Sequence, residues 1–209
     1  MPVSAALPED PWTGILLRPR ETIRTILDVN PEWHALAIVI AFGFMNGMVR
    51  LLDFMDRMPN FPAMTAAFGM AAVFGPLGNI MTWYLAGALL RLTGGWLGGQ
   101  ATQREIRTAV AWSQVPGIGA LALVCALNLL ASAMTPGNLA LLAPFAAIAL
   151  LALLAAIWQM CLFCICLSEA QGFSVWRALG SSLLAGLLIL IAVLAVVFLL
   201  LVPLMLSGR

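Results

Sequence analysis

The sequence predicts an all-α, polytopic membrane protein with about five transmembrane helices and a short amphipathic helix near its N-terminus. Two observations lead to this fold class. First, 63% of the 209 residues are hydrophobic and only 9% are charged, whereas about a quarter of the residues in soluble domains are charged. Second, several apolar stretches reach the roughly 20 residues that a helix needs to cross the hydrocarbon core. These stretches cover residues 34–52, 63–91, 115–134, 139–168 and 179–206.

The chain before the first apolar stretch, residues 1–33, is expected to be a cytoplasmic or interfacial segment, followed by a five-helix transmembrane domain over residues 34–209. In this segment Ile23, Ile26 and Leu27 recur at helical spacing beside arginines, and Pro19 lies near the expected helix start. The pattern predicts an amphipathic helix. Two positions are open to it: the cytoplasmic interface of the membrane, or the cytoplasmic ends of its own helix bundle.

The second apolar stretch contains Gly75 and Pro76. Proline removes one backbone donor and its ring clashes with the preceding helical turn, so we expect a helix break with a kink near Gly75. Further along, residues 134–138 have the composition of a tight turn, which predicts an antiparallel hairpin between the third and fourth membrane helices.

A glycine-rich connection follows the second stretch, and we expect an interfacial turn in which Gly94 and Gly98 allow close backbone approach. Thr102 and Glu105 then form the sequence pattern of a capping box. This pattern predicts a helix that begins at Thr102, continues through Trp112 and bends near Pro116.

The arginines predict the orientation in the membrane, because loops on the cytoplasmic side are enriched in basic residues. On the amino-terminal side lie Arg18, Arg20, Arg24, Arg91, Arg104, Arg107 and Arg177, and on the other side lie Arg50, Arg57 and Arg209. The N-terminus is therefore expected in the cytoplasm and the C-terminus outside. Together with an Ala-, Leu- and Gly-rich composition that contains arginine but no lysine, this favours a bacterial inner membrane protein.

Polar residues within the apolar stretches are the candidate functional residues, because burying them in a bilayer is costly. They are Asn46, Arg50, Asn79, Gln114, Asn128 and Gln159, with Glu169 near the end of the fourth stretch. One interpretation is a polar path through the bundle. The other is hydrogen bonding between helices, worth about 1 kcal/mol for each bond. For Glu169 we expect a cytoplasmic ion pair with Arg177.

The sequence predicts no catalytic residues, no cofactor and no metal site. Cys161, Cys164 and Cys166 do not share one helix face, and no second cluster of cysteine or histidine completes a metal-binding set. Paired carboxylates and a nucleophile with an adjacent base are also missing. The net charge of +1 gives no reason to expect a nucleic-acid partner.

Three segments, in order along the chain, resemble the Yip family of Ypt-interacting membrane proteins in its bacterial form. The matching segments are Trp12-x-x-Ile15-Leu16-x-x-Pro19-Arg20-x-Thr22-Ile23; Gly75-Pro76 through Leu90 with Gly94-Gly95 and Ala111-Trp112-Ser113-Gln114-Val115-Pro116; and Leu167-Ser168-Glu169-Ala170-Gln171-Gly172-Phe173-Ser174 with Arg177-Ala178-Leu179. The resemblance implies a five-helix bundle with a cytoplasmic N-terminus. Eukaryotic members carry an acidic-Leu-x-Gly-Pro motif linked to small GTPases. Residues 72–76 here lack its acidic residue, so a GTPase-binding role is not implied.

These observations lead to two hypotheses about function. The first is a non-enzymatic membrane protein that associates laterally with lipids, with other membrane proteins or with itself, as a scaffold in membrane organisation or trafficking. The spacing of Gly43 and Gly47 suits close helix packing at such an interface. The second hypothesis is a small transporter or channel for an ion or small solute, because broken helices and intramembrane polar residues often frame transport sites.

Overall fold

The computed structural model describes residues 10–29, 32–57, 64–132 and 142–207, and within these ranges the chain forms α-helices and no β-strand. The helices are α1 (Pro11–Leu17), α2 (Pro19–Val29), α3 (Glu32–Arg57), α4 (Met64–Trp96), α5 (Gln103–Ser113), α6 (Val115–Ser132), α7 (Leu142–Gln171) and α8 (Val175–Ser207). The predicted all-α fold class is confirmed. The expected turn at residues 134–138 lies outside the described residues.

Among the described residues, 5 spans are long and apolar enough to cross a membrane, as the sequence predicts. They are His34–Leu52 in α3, Phe68–Trp96 in α4, Gln103–Leu130 across α5 and α6, Leu142–Gln171 in α7 and Val175–Leu200 in α8. The third span begins at Gln103 and not at residue 115. Its first part, α5, is amphipathic and was therefore not visible as an apolar stretch.

The capping box at the start of α5 is confirmed. The Thr102 backbone N–H donates to Glu105 Oε2 at 2.7 Å, and the Glu105 backbone N–H donates to Thr102 Oγ1 at 3.3 Å. Helix α5 ends at Ser113 and α6 begins at Val115, with Pro116 in its first turn. Proline is favourable there because the first helical N–H groups have no partner within the helix. The predicted bend near Pro116 is therefore a junction between two helices.

Helix α4 runs through Gly75 and Pro76 as one α-helix from Met64 to Trp96. The predicted break does not end the helix, because proline deletes a single backbone donor and neighbouring helices in a membrane hold such a segment together. A bend of the helix axis at this point stays a prediction.

The N-terminal segment forms two helices, with Arg18 between them. Asp10 caps α1: its carboxylate accepts hydrogen bonds from the backbone N–H of Thr13 at 3.4 Å and from Thr13 Oγ1 at 2.8 Å. These bonds favour the ionised form and lower the pKa of the Asp10 carboxyl.

The apolar face of α1 and α2 packs against the helix bundle. Ile15, Ile23 and Ile26 are fully buried. They form one cluster with Ile38 of α3, Ala109 and Trp112 of α5 and Cys166 of α7. The described part of this segment therefore packs on the bundle, and its position relative to the membrane interface stays a prediction.

The transmembrane helices pack in pairs. Helix α3 lies along α4, α6 lies along α7, and α8 packs against both α4 and α7. A second core cluster joins Trp83 of α4, Ile106 of α5 and Leu167 of α7. The large side chains of α8 from Ile189 to Leu200 are exposed, which suits contact with lipid chains.

Candidate functional site

A groove between α3 and α4 brings together three of the predicted polar residues, Asn46, Arg50 and Asn79. We call it the α3–α4 groove. Its volume is about 660 Å³, and its lining residues are Asn46, Gly47, Arg50, Leu51, Phe54, Met70, Ala71, Phe74, Gly75, Gly78, Asn79 and Thr82. Most of the lining is apolar, with a few polar groups at defined positions. This composition is typical of sites that bind an amphipathic ligand.

Asn46 orients Arg50, which is the one arginine among the described lining residues of this groove. Arg50 Nε donates to Asn46 Oδ1 at 2.9 Å, one helical turn away. The Arg50 side chain is exposed and lies two residues before the end of the apolar span His34–Leu52. In the sequence the acidic residue Asp53 directly follows this span, so we expect the guanidinium near the headgroup region of a membrane.

Asn79 lies between the α3–α4 groove and a second cavity. Its Nδ2 donates to the Val39 carbonyl at 2.7 Å and to Gln114 Oε1 at 3.4 Å. The second cavity, of about 380 Å³, is lined by Asn79, Gln114 and Gln159, among others. Asn79 and Thr82 line both cavities. Five of the predicted polar residues thus line these two adjoining cavities: Asn46, Arg50, Asn79, Gln114 and Gln159.

Asn128 does not belong to this set of polar residues. Its Nδ2 donates to the Val124 carbonyl at 3.1 Å, within its own helix, and it lines neither cavity. Within the described ranges the bond lies inside one helix, so it supports neither the polar path nor a hydrogen bond between helices.

Glu169 anchors α2 to α7. Arg24 Nε donates to Glu169 Oε2 at 2.7 Å, and Arg20 Nε lies 3.7 Å from Glu169 Oε1. The prediction of an ion pair between Glu169 and Arg177 was wrong. Packing of α2 against α7 places Arg20 and Arg24 at the carboxylate instead. Glu169 retains 11% of its side-chain exposure, whereas both arginines are more than half exposed.

Replacing Glu169 by glutamine is expected to weaken the attachment of α2 by about 1 kcal/mol, a value suited to ion pairs with exposed partners. Faster hydrogen exchange of the α2 amides would measure the loss. The matched control is Glu21→Gln, which removes an exposed carboxylate of α2 itself. Equal exchange rates in the two variants would contradict a holding role for Glu169.

Gly43 and Gly47, which were predicted to lie at a lateral interface with another molecule, lie at the close contact between α3 and α4. A Cβ on Gly43 would lie 2.8 Å from the Gly75 carbonyl oxygen, and a Cβ on Gly47 would lie 2.5 Å from the Ala71 carbonyl oxygen. Both glycines are buried. Gly43 and Gly47 therefore pack within the chain and do not present a face to another molecule.

Gln171 has a packing role that sequence analysis missed. Its Nε2 donates to the Leu90 carbonyl at 3.0 Å, and the residue is 3% exposed. A Cβ on Gly94 or Gly99 would overlap its side chain, whereas Gly98 has open space and a φ of +87°. The glycine-rich turn signals a close approach, but nothing in the sequence marks Gln171 as the approaching group.

Comparison with protein families gives one result: a model described as the Yip1 domain matches residues 13–205. The match includes most of α1, all of α2 and the helices around both cavities. No curated protein and no solved structure shows significant similarity to the chain.

Proposed function

This chain belongs to the Yip1 domain family of membrane proteins, and from that premise we propose that it is a non-enzymatic membrane protein that associates laterally with membrane lipid through the α3–α4 groove. The lipid would lie with one acyl chain along the apolar lining and with its headgroup near the C-terminal end of α3. Lipid is thus the proposed partner, and no catalytic step is part of the proposal.

The observation that carries this proposal is the length of the groove. Its lining on α4 extends from Met70 to Thr82, which corresponds to about 18 Å at the helical rise of 1.5 Å per residue. One leaflet contributes about 15 Å of hydrocarbon, half of the bilayer core. A single acyl chain therefore matches the groove, and Phe54, Met70 and Phe74 offer it apolar contact.

We also propose the orientation that the arginine distribution predicts, with α1 and α2 on the cytoplasmic side of a bacterial inner membrane. Under this orientation the end of the groove at Arg50 and Met70 lies in the outer leaflet. The groove would then sample lipids of that leaflet and not those of the cytoplasmic leaflet.

Filling the groove tests the proposal. Gly78 lines it, and a Cβ there would meet nothing within 4 Å, so Gly78→Leu adds bulk without a clash at its first atom. Gly186 on α8 has the same open surroundings and lies outside the groove, so Gly186→Leu is the matched control.

Nanodiscs that contain a phospholipid with a photoreactive acyl chain supply the measurement. In the wild-type chain and in Gly186→Leu, the crosslinks are expected to concentrate on α3 and α4 residues of the groove. In Gly78→Leu, crosslinking there is expected to fall several-fold. Equal labelling in both variants, or labelling spread evenly over all helices, would refute lipid binding in the groove.

A second candidate function is transport of a small solute, and the sharing of Asn79 and Thr82 by the two cavities favours it. The predicted polar residues that line these cavities would form the polar path. Reconstituted liposomes are then expected to show solute flux that Asn79→Leu reduces and Asn128→Leu leaves intact, because Asn128 lines neither cavity. Tight liposomes across a broad panel of solutes would remove this candidate.

A further inference from the structure

We propose that the α3–α4 groove selects lipids whose headgroup carries a net negative charge, and that Arg50 is the residue that binds this headgroup. The inference rests on the proposed lipid-binding function and adds the headgroup class. It is based on the charges around the groove, whereas the proposed function is based on the length of the groove.

Arg50 has capacity to bind an anion. Its Nε is engaged by Asn46, and within the described part of the chain no ion pair reaches its guanidinium. Among the described residues the two terminal nitrogens have no partner, so they can serve as donors to a ligand. A guanidinium presents such donors as a planar fork that matches the oxygens of a phosphate. The bond to Asn46 holds the fork in place and so reduces the ordering needed when a headgroup binds.

The charge of the groove favours a net anionic headgroup over a zwitterionic one. Among its described lining residues Arg50 carries the only formal charge. A zwitterionic headgroup would bring an ammonium group that finds no carboxylate among these residues. A net anionic headgroup leaves no such cation without a counter-charge. Because Arg50 lies near the end of the apolar span, its charge is only partly screened by water, and an anion there has a larger effect than at an open surface.

The position of Arg50 supports the same ligand. The apolar side chains Phe54, Met70 and Phe74 lie beside it in the groove, and the rest of the groove continues along α4 toward Thr82. A lipid whose phosphate binds Arg50 would therefore direct its acyl chain along the groove. Inorganic phosphate could satisfy the guanidinium but would leave this apolar lining without contacts.

The test uses the full chain in nanodiscs of phosphatidylethanolamine mixed with phosphatidylglycerol, with the bound lipids identified by native mass spectrometry. Wild-type protein is expected to enrich the anionic lipid about fivefold over its share in the bilayer, which corresponds to roughly 1 kcal/mol for one arginine near the surface. Arg50→Gln is expected to lower the enrichment severalfold, to the level that the other arginines produce, while lipid remains bound. Arg50→Lys is expected to keep part of it, because the charge stays and the fork is lost.

Arg177→Gln, which removes an exposed arginine at the opposite end of the bundle, is the control and is expected to keep the wild-type enrichment. Unchanged enrichment in Arg50→Gln would overturn the inference, as would the absence of enrichment in the wild type. Displacement of the lipid by millimolar inorganic phosphate would also overturn it, in favour of a site for the free anion. If Gly78→Leu still removes the bound lipid when Arg50→Gln changes nothing, the proposed function stands and only the headgroup assignment fails.

Discussion

Replacing Gly75 by leucine is expected to destabilise the protein by about 3 kcal/mol, at the upper end of the usual cost of overpacking. A Cβ at this position would overlap the Gly43 carbonyl oxygen and would lie 3.0 Å from the Gly47 Cα. Both obstacles are backbone atoms of α3, so the clash cannot be relieved by a side-chain rotation. The two helices would have to move apart, and α3 would lose contacts along much of its length.

Gly69→Leu is the control for this prediction, because it lies in the same helix and a Cβ there meets nothing within 4 Å. Denaturant unfolding of both variants in detergent micelles measures the difference, and the control is expected to match the wild type. Equal stability of the two variants would show that α3 and α4 do not pack as closely as the structure places them. Since Gly43 and Gly47 face α4, the same substitutions at those positions are also expected to act on folding before they act on assembly.

Replacing Trp112 by alanine is expected to cost about 3–5 kcal/mol, the usual range for a large buried aromatic residue. Trp112 is fully buried. Its ring centroid lies 5.2 Å from that of Trp12, and it packs in one cluster with Ile15 and Ile23. Without the indole ring, α1 and α2 lose apolar contacts with α5. The two helices are therefore expected to detach from the bundle before the transmembrane helices unfold.

Limited proteolysis separates this local release from general unfolding. Trypsin is expected to cut Trp112→Ala rapidly after Arg20 and Arg24 of α2, while the transmembrane helices stay intact. Trp176→Ala is the control, because Trp176 is 81% exposed and supports no such cluster. Cleavage of both variants at the wild-type rate would contradict the assignment of Trp112 as the support of α1 and α2.

The candidate site was partly predictable. Asn46 and Arg50 are one turn apart on a predicted helix, and side chains at that spacing share a face, so their hydrogen bond follows from local geometry. Asn79 was identified as an intramembrane polar residue, but its place between two cavities depends on how α4 sits against α3, α5 and α7. No sequence pattern identifies Gly78 as a groove residue, because its place in the groove depends on the open space that the packing of α3 and α4 leaves beside it.

Local properties of the chain determined the fold class, the number of apolar spans, the capping box of α5 and the junction before α6. Hydropathy and helix capping act on residues within a few positions of one another, so a single sequence contains the information they need. The tertiary structure decided the rest: Glu169 binds Arg24 across 145 residues of chain, Gln171 fits against Gly94 and Gly99, and α1 and α2 rest on Trp112. Each of these partners depends on which helices become neighbours, and that choice comes from packing the whole bundle, which no local pattern encodes.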